Sequence, residues 1–132
     1  GVTFFAAPEL APRLRGKFPR SLDGAPMLLP SAEAAVRRGL DQWLHENEIR
    51  PEIVSEFDDS ALMKAFGQTG LGVFPAPTVT EAEIKRQYGV RVVGRTDAVR
   101  ERFFAVSVER RLKHPAVVAI SETARHEMFS TT

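Results

Sequence analysis

The chain has no cysteine. That removes disulfides, thiolate metal sites and cysteine nucleophiles together, and it fits a reducing cytoplasm. It has no long apolar run, and nothing in it approaches the roughly 20 residues a membrane helix needs. It has almost no net charge, +1 from 18 basic and 17 acidic residues, so no global attraction draws it to nucleic acid or an acidic membrane. Phosphate-cradling glycine patterns are missing too, since Gly70-Leu71-Gly72 lacks a third glycine and a following helix. His45, His114 and His126 lie in or beside predicted helices with no serine motif, so no nucleophile-base or acid-base pair is legible and no enzyme is expected. What is present is the composition of a folded domain, 43% hydrophobic and 27% charged over 132 residues. The chain opens at Gly1 and runs directly into an apolar strand, which leads us to expect a fragment of something longer.

In chain order, residues 2–6 (VTFFA) are predicted as a strand that Pro8 ends. Residues 8–19 hold Pro8, Pro12 and Pro19 and read as an irregular connection. Its cations Arg13, Arg15 and Lys17, with Arg20, form a solvated surface or a phosphate patch. Residues 21–24 turn around one apolar anchor, Leu22. Met27-Leu28-Leu29 makes a short buried strand closed by Pro30. Ser31 is expected to cap a helix reaching Asn47. Val36, Leu40, Trp43 and Leu44 line one face, with Arg37, Arg38, Asp41 and His45 outside it. Residues 52–57 are the third strand, with Ile53 and Phe57 as its apolar positions.

Residues 56–77, EFDDSALMKAFGQTGLGVFPAP, organise the rest. They read as a strand end, a short helix, a tight turn and a second buried strand. Leu62, Met63 and Phe66 recur at helical spacing and are expected to face a sheet. Gly70 ends the helix with positive φ. Leu71-Gly72-Val73-Phe74 is expected as an interior strand that Pro75 and Pro77 stop. A strand–helix–strand unit of this size predicts a parallel pair joined by a right-handed crossover. Further on, Thr80-Glu81-Ala82-Glu83 reads as a capping box for a helix ending at Tyr88-Gly89. Strands follow at 90–93 and 103–108, then a basic turn at 110–114 and a helix beginning at Pro115. Strands alternating with helices predict an α/β fold: a three-layer sheet flanked by helices.

Five stretches resemble the effector-binding domain of LysR-type transcriptional regulators: FFAAP, SLDGAPMLLP, LDQWLHENEIRPEIVSEFDD, GLGVFPAP and RFFAVSVERRLKHPAV. Within the family, EFDDSALMKAFG and ERRLKHPAV are similar to the branch linked to sodium/proton antiporter expression. The resemblance implies one lobe of a domain built like a type II periplasmic binding protein. It places residues 1–101 in the second lobe and residues 102–132 in a return strand and C-terminal helix of the first lobe. It implies a cytoplasmic protein that senses a small ligand or sodium ion, self-associates as a homodimer or larger, needs no cofactor and does not engage a membrane. DNA would be contacted only through an N-terminal domain that this chain does not include. Two other readings stand beside it. One is a stand-alone solute-binding lobe of a transport protein; the other is an oligomerisation module using the helix at 31–47.

The candidate site has two parts. Glu56, Asp58 and Asp59, with Phe57 between them, follow one another at the carboxyl end of a strand, where open α/β sheets bind ligands. Carboxylate oxygens suit a hard cation, so these acids are a candidate sodium site. An aspartate there can equally cap the next helix, whose positive end attracts carboxylates and repels cations. The second part is Leu29-Pro30-Ser31, where a helix N-terminus beside a hydroxyl suits an anionic group or is an ordinary cap. Residues 4–7 are a third candidate, their aromatics serving as core or as ligand contacts.

Overall fold

The structure is a computed structural model that describes residues 1–99. The strand expected at 103–108, the basic turn at 110–114 and the helix from Pro115 lie outside the described residues.

Strand β1 (Val2–Ala6) is buried at every position and is the middle strand of a three-stranded sheet. It pairs antiparallel with β4 (Phe74–Pro77) on one side and β5 (Arg91–Thr96) on the other. Strands β2 (Pro26–Pro30) and β3 (Glu52–Phe57) form a parallel pair. Val73 joins the two groups: its N–H donates to the Pro26 carbonyl at 2.9 Å, and its carbonyl accepts from the Leu28 N–H at 2.7 Å. The strands therefore follow the order β3-β2-β4-β1-β5. Both expected neighbours of the 56–77 unit run parallel, but each lies beside β2 and not beside the other. The crossover through helix α3 (Ser60–Gln68) thus skips over one strand.

The strand expected at 71–74 lies instead at 74–77: Pro75 falls inside β4 and does not stop it, whereas β4 does end at Pro77. Pro75 stands opposite Phe4 and Pro77 opposite Val2. The Thr78 N–H donates to the Gly1 carbonyl at 3.0 Å, so by strand alternation alternate N–H groups of β4 face β1 while the two proline nitrogens face β2. Proline lacks a hydrogen there, so the β2–β4 ladder ends at Val73. Beyond it, both strands keep their direction without continuing the ladder.

The two faces of this sheet carry two cores. Phe4, Met27 and Leu29 pack with Leu40, Trp43 and Leu44 of α2 (Ala35–Glu46), with Leu14 of the short helix α1 (Pro12–Arg15) in the same core. Phe5, Leu28 and Phe74 pack with Met63 of α3 and Ile84 of α4 (Glu81–Tyr88). Neighbouring residues of one strand thus feed opposite layers, and the expected three-layer α/β arrangement follows. Aromatic rings anchor both sides: Phe4 stacks on Trp43 with centroids 5.4 Å apart, and Phe5 on Phe74 at 5.4 Å.

Local expectations fail at several points. Residues 12–15 are helical where an irregular connection was expected. Helix α2 begins at Ala35 behind Ala34, with no side-chain cap; Ser31 lies in a turn ahead of it. In α3 only Met63 and Gly67 are buried, while Leu62 and Phe66 are 49% and 41% exposed, because the helix crosses the sheet near its edge strand. The helix starting at Glu81 is right but its capping box is not: the Thr80 hydroxyl donates to the Pro77 carbonyl at 2.7 Å. Strand β3 holds a bulge, since Met27 faces Ile53 and Leu28 faces Ser55, leaving Val54 without a partner. The bulge shifts the alternation, so Ile53 and Phe57 do not share a face.

Gly67 meets the ring of Phe74 so closely that an added Cβ would sit 2.2 Å from Phe74 Cδ1. Alanine in an exposed helix interior gains about 1 kcal/mol over glycine. Here overpacking costs about 1–3 kcal/mol against a fully buried ring. Gly67→Ala is therefore expected to lower stability by about 1–2 kcal/mol in urea denaturation, and a more stable variant would contradict this packing.

Candidate functional site

Strands β2, β3, β4 and β5 run in one direction and β1 runs against them. Four carboxyl ends and the amino end of β1 therefore share one edge. All the site residues expected from the sequence except residues 4–7 fall on it.

At the β2–β3 end, the Ser31 N–H donates to the Phe57 carbonyl at 2.8 Å and ties the two strand ends together. Leu29 is fully buried, and Phe57 belongs to the second core with its ring 5.5 Å from that of Phe66. Phe4, Phe5, Ala6 and Ala7 are fully buried core.

The three acids do not converge. Glu56 Oε2 accepts from Arg37 Nη1 at 2.7 Å. Asp59 caps α3, its Oδ1 accepting from the Ala61 N–H at 2.9 Å and the Leu62 N–H at 3.4 Å. Asp58 is exposed and carries no hydrogen bond or ion pair among the described residues. Among those residues no three His, Cys, Asp or Glu side chains stand together as a metal site requires.

Arg37 organises this end, and the sequence reading had placed it on the outer face of α2. It is 7% exposed, on the same face as Leu40 and Leu44. Its Nη1 also donates to the Pro30 carbonyl at 2.9 Å, and its Nε donates to Asp41 Oδ1 at 2.9 Å. One guanidinium thus fastens the end of β2, the end of β3 and a turn of α2. Burial works against its charge, but hydrogen bonds to Asp41 and Glu56 outweigh that and hold its pKa above the usual arginine value. The spacing 37, 40, 44 and the Arg37–Asp41 pair four apart were the available signals.

A second polar cluster was not foreseen. Thr3, in β1, is fully buried, and its hydroxyl lies 3.0 Å from Glu81 Oε1 and 3.0 Å from the Thr78 hydroxyl. A hydroxyl has one hydrogen, so Thr3 donates to the carboxylate and accepts from Thr78. Glu81 holds Arg95 in a two-point pair, with Nε donating to Oε1 at 2.8 Å and Nη2 to Oε2 at 2.5 Å. Hydrogen bonding from Arg95 pulls the Glu81 pKa below the usual carboxylate range; burial opposes this and the Thr3 hydroxyl assists it. Between the two clusters Lys64 is half-buried, and burial lowers its pKa despite the charges of Glu83 and Asp59.

The chain matches the LysR substrate binding domain over residues 2–129. It belongs to that family. It is 35% identical over 130 residues to the transcriptional activator protein NhaR of Escherichia coli (strain K12), and equally to NhaR of Shigella flexneri. The match covers 98% of this chain and 42% of either relative, so this LysR-type domain spans less than half the length of the curated relatives it matches. Among solved structures it is similar to the effector binding domain of QuiR in complex with shikimate, at TM-score 0.60 and 15% identity, over 73% of this chain and 45% of that one. The fold is therefore that of LysR effector-binding domains, as the sequence resemblance implied. A substrate-binding domain is a binding module and not an enzyme. No helix among the described residues of this LysR-type chain is long and apolar enough to cross a membrane.

Two outcomes follow from the polar clusters. Arg37→Met removes hydrogen bonds to acids that are themselves 45% and 52% exposed and can return to water. The expected loss is about 1–3 kcal/mol by chemical denaturation, below the roughly 3–5 kcal/mol of a fully buried broken pair. Glu81 faces Arg95 of β5, Thr3 of β1 and Lys85 of its own helix, and its folded pKa is depressed. The stability it contributes is complete above the unfolded glutamate value of about 4.3 and is lost as pH falls through the lower folded value. The stability gap between wild type and Glu81→Gln should therefore narrow below about pH 4.3, and a gap unchanged from pH 7 to pH 3 would contradict the pairing.

Proposed function

We propose that this chain is the effector-sensing part of a LysR-type transcriptional regulator of the NhaR kind, responding to a small ligand or sodium ion. The observation that carries this is the 35% identity to a transcriptional activator over 98% of the chain. Residues 1–101 then act as the second lobe, and residues 102–132 return to the first. The protein is cytoplasmic and contacts DNA through a part outside this chain. A ligand that prefers one arrangement of the lobes shifts the population, and the shift reaches the DNA-binding part. Self-association accompanies this, and Val54, Leu62 and Phe66, each 40% exposed or more along the β3 edge, supply apolar surface for it.

The effector sits at the carboxyl edge, against Leu29, Pro30 and Ser31 and beside Glu56, Phe57, Asp58 and Asp59. For sodium, Asp58 supplies the carboxylate, because Glu56 is engaged by Arg37 and Asp59 by the helix cap. Backbone carbonyls, water and the opposite lobe complete the oxygen shell. In the whole regulator, Asp58→Asn should lose most of the sodium-dependent transcription while unfolding at the wild-type temperature. Asp59→Asn should keep the response, since asparagine caps as well as aspartate. If Asp58→Asn, Asp59→Asn and Glu56→Gln all respond like wild type, the acids are structural and the ion reading fails.

A further inference from the structure

We propose that Glu81 is the latch of a conformational device that holds the outer half of β5 against β1, the last and first described strands. Its purpose rests on the effector-sensing reading; its mechanics rest on the geometry alone.

The ladder between β1 and β5 is broken in the middle. Phe4 stands opposite Gly94 and Phe5 opposite Val92, so Val93 is an extra residue. A bulge interrupts pairing and leaves the strand free to bend there. Inside it, residues 91 and 92 pair with Ala6 and Phe5; outside it, residues 94–96 pair with Phe4, Thr3 and Val2. The outer half is therefore a three-residue segment on a strand that is outermost among the described residues, joined to the rest of β5 through a bulge. It also lies beside the first residues of the chain, since Val2 is opposite both Thr96 and Pro77.

Two side-chain contacts grip this segment from opposite faces. On the α2 face the ring of Phe18 covers Gly94 so closely that an added Cβ would lie 2.4 Å from Phe18 Cγ. On the α4 face Glu81 takes Arg95 with both carboxylate oxygens. Strand β1 lies between β4 and β5, so this carboxylate, at the first residue of the helix that follows β4, reaches across β1 to hold β5. It also accepts the hydroxyl of Thr3, the β1 residue directly opposite Arg95. Both strands are thus bound to α4 through a single carboxylate. Phe18 alone offers a face to slide on, whereas a two-point ion pair fixes direction as well as distance. With the pair made, β1, the outer half of β5 and α4 move as one piece. With it broken, residues 94–96 can part from β1 at the bulge, and a change at the carboxyl edge is no longer passed on rigidly.

The test is amide hydrogen exchange on the whole protein for wild type, Glu81→Gln, Arg95→Met and the double variant. Arg95 is 56% exposed in its side chain, so Arg95→Met should fold even if Glu81→Gln does not. Amides of residues 94–96 are expected to exchange about tenfold faster in each single variant, with no further gain in the double and with β2 and β3 unchanged. Arg95→Lys, which keeps the charge but not the fork, should fall between. Exchange that rises equally in all strands, or not at all, overturns the latch. A second arm compares sodium chloride with choline chloride as inducers of transcription by the whole regulator. Arg95→Met should shift the sodium midpoint by about threefold or more. An unchanged midpoint overturns the transmission role. A wild type that answers neither salt counts against the sodium reading, and the exchange arm then decides the latch by itself.

Discussion

Phe4 and Phe5 are neighbours on β1 and lie in opposite cores. Each is fully buried, so each requires a complete layer of helices on its own side. That constraint is stronger than any helix preference in this chain. Trp43 meets Phe4, and its helix must lie on that face; Phe74 meets Phe5 and is in turn covered by Gly67 of α3. Removing a side chain at Gly67 is what lets α3 approach a buried ring, so a position unfavourable to an isolated helix is favourable in the packed one. The same alternation in Met27, Leu28 and Leu29 carries both cores on to β2.

Much of this was legible. Local patterning located β1, β2, β3 and β5, while the run expected at 71–74 meets β4 only at Phe74; the positions of α2, α3 and α4 followed from 3.6-residue spacing and from Gly70 and Gly89, both at positive φ. What was not legible was who pairs with whom. Pro75 looked like a stop because proline removes a donor, yet its nitrogen faces β2, where it ends the ladder, and leaves the pairing with β1 intact. The two bulges were hidden for a similar reason: Val54 and Val93 are ordinary strand residues whose lack of a partner depends on the neighbouring strand. Leu62 and Phe66 had the right spacing for a buried face, but spacing cannot tell that a helix lies near the rim of a sheet.

The candidate site was legible in position and not in wiring. The edge was found from the rule that open sheets bind at their carboxyl ends, and the acids and Leu29-Pro30-Ser31 do lie there. The partners that determine what those acids can do are distant in sequence: Glu56 from Arg37 by 19 residues, Glu81 from Thr3 by 78. A charged residue at a helical position reads as solvated until a fold buries it, and Arg37 is buried only because two strand ends and Asp41 provide acceptors together.

That wiring bears on the sign of the ligand. The two arginines of these clusters already face carboxylate oxygens: Arg37 those of Glu56 and Asp41, Arg95 both of Glu81. An anion arriving there would have to displace a bonded carboxylate in order to reach a guanidinium. A cation meets no such competition, because Asp58 is exposed and unengaged among the described residues. The helix end behind it opposes a cation with about half a charge, but Asp59 already sits on that end and offsets it. A cation at the acids would thus meet Asp58 alone, since among the described residues no three acidic or histidine side chains stand together there.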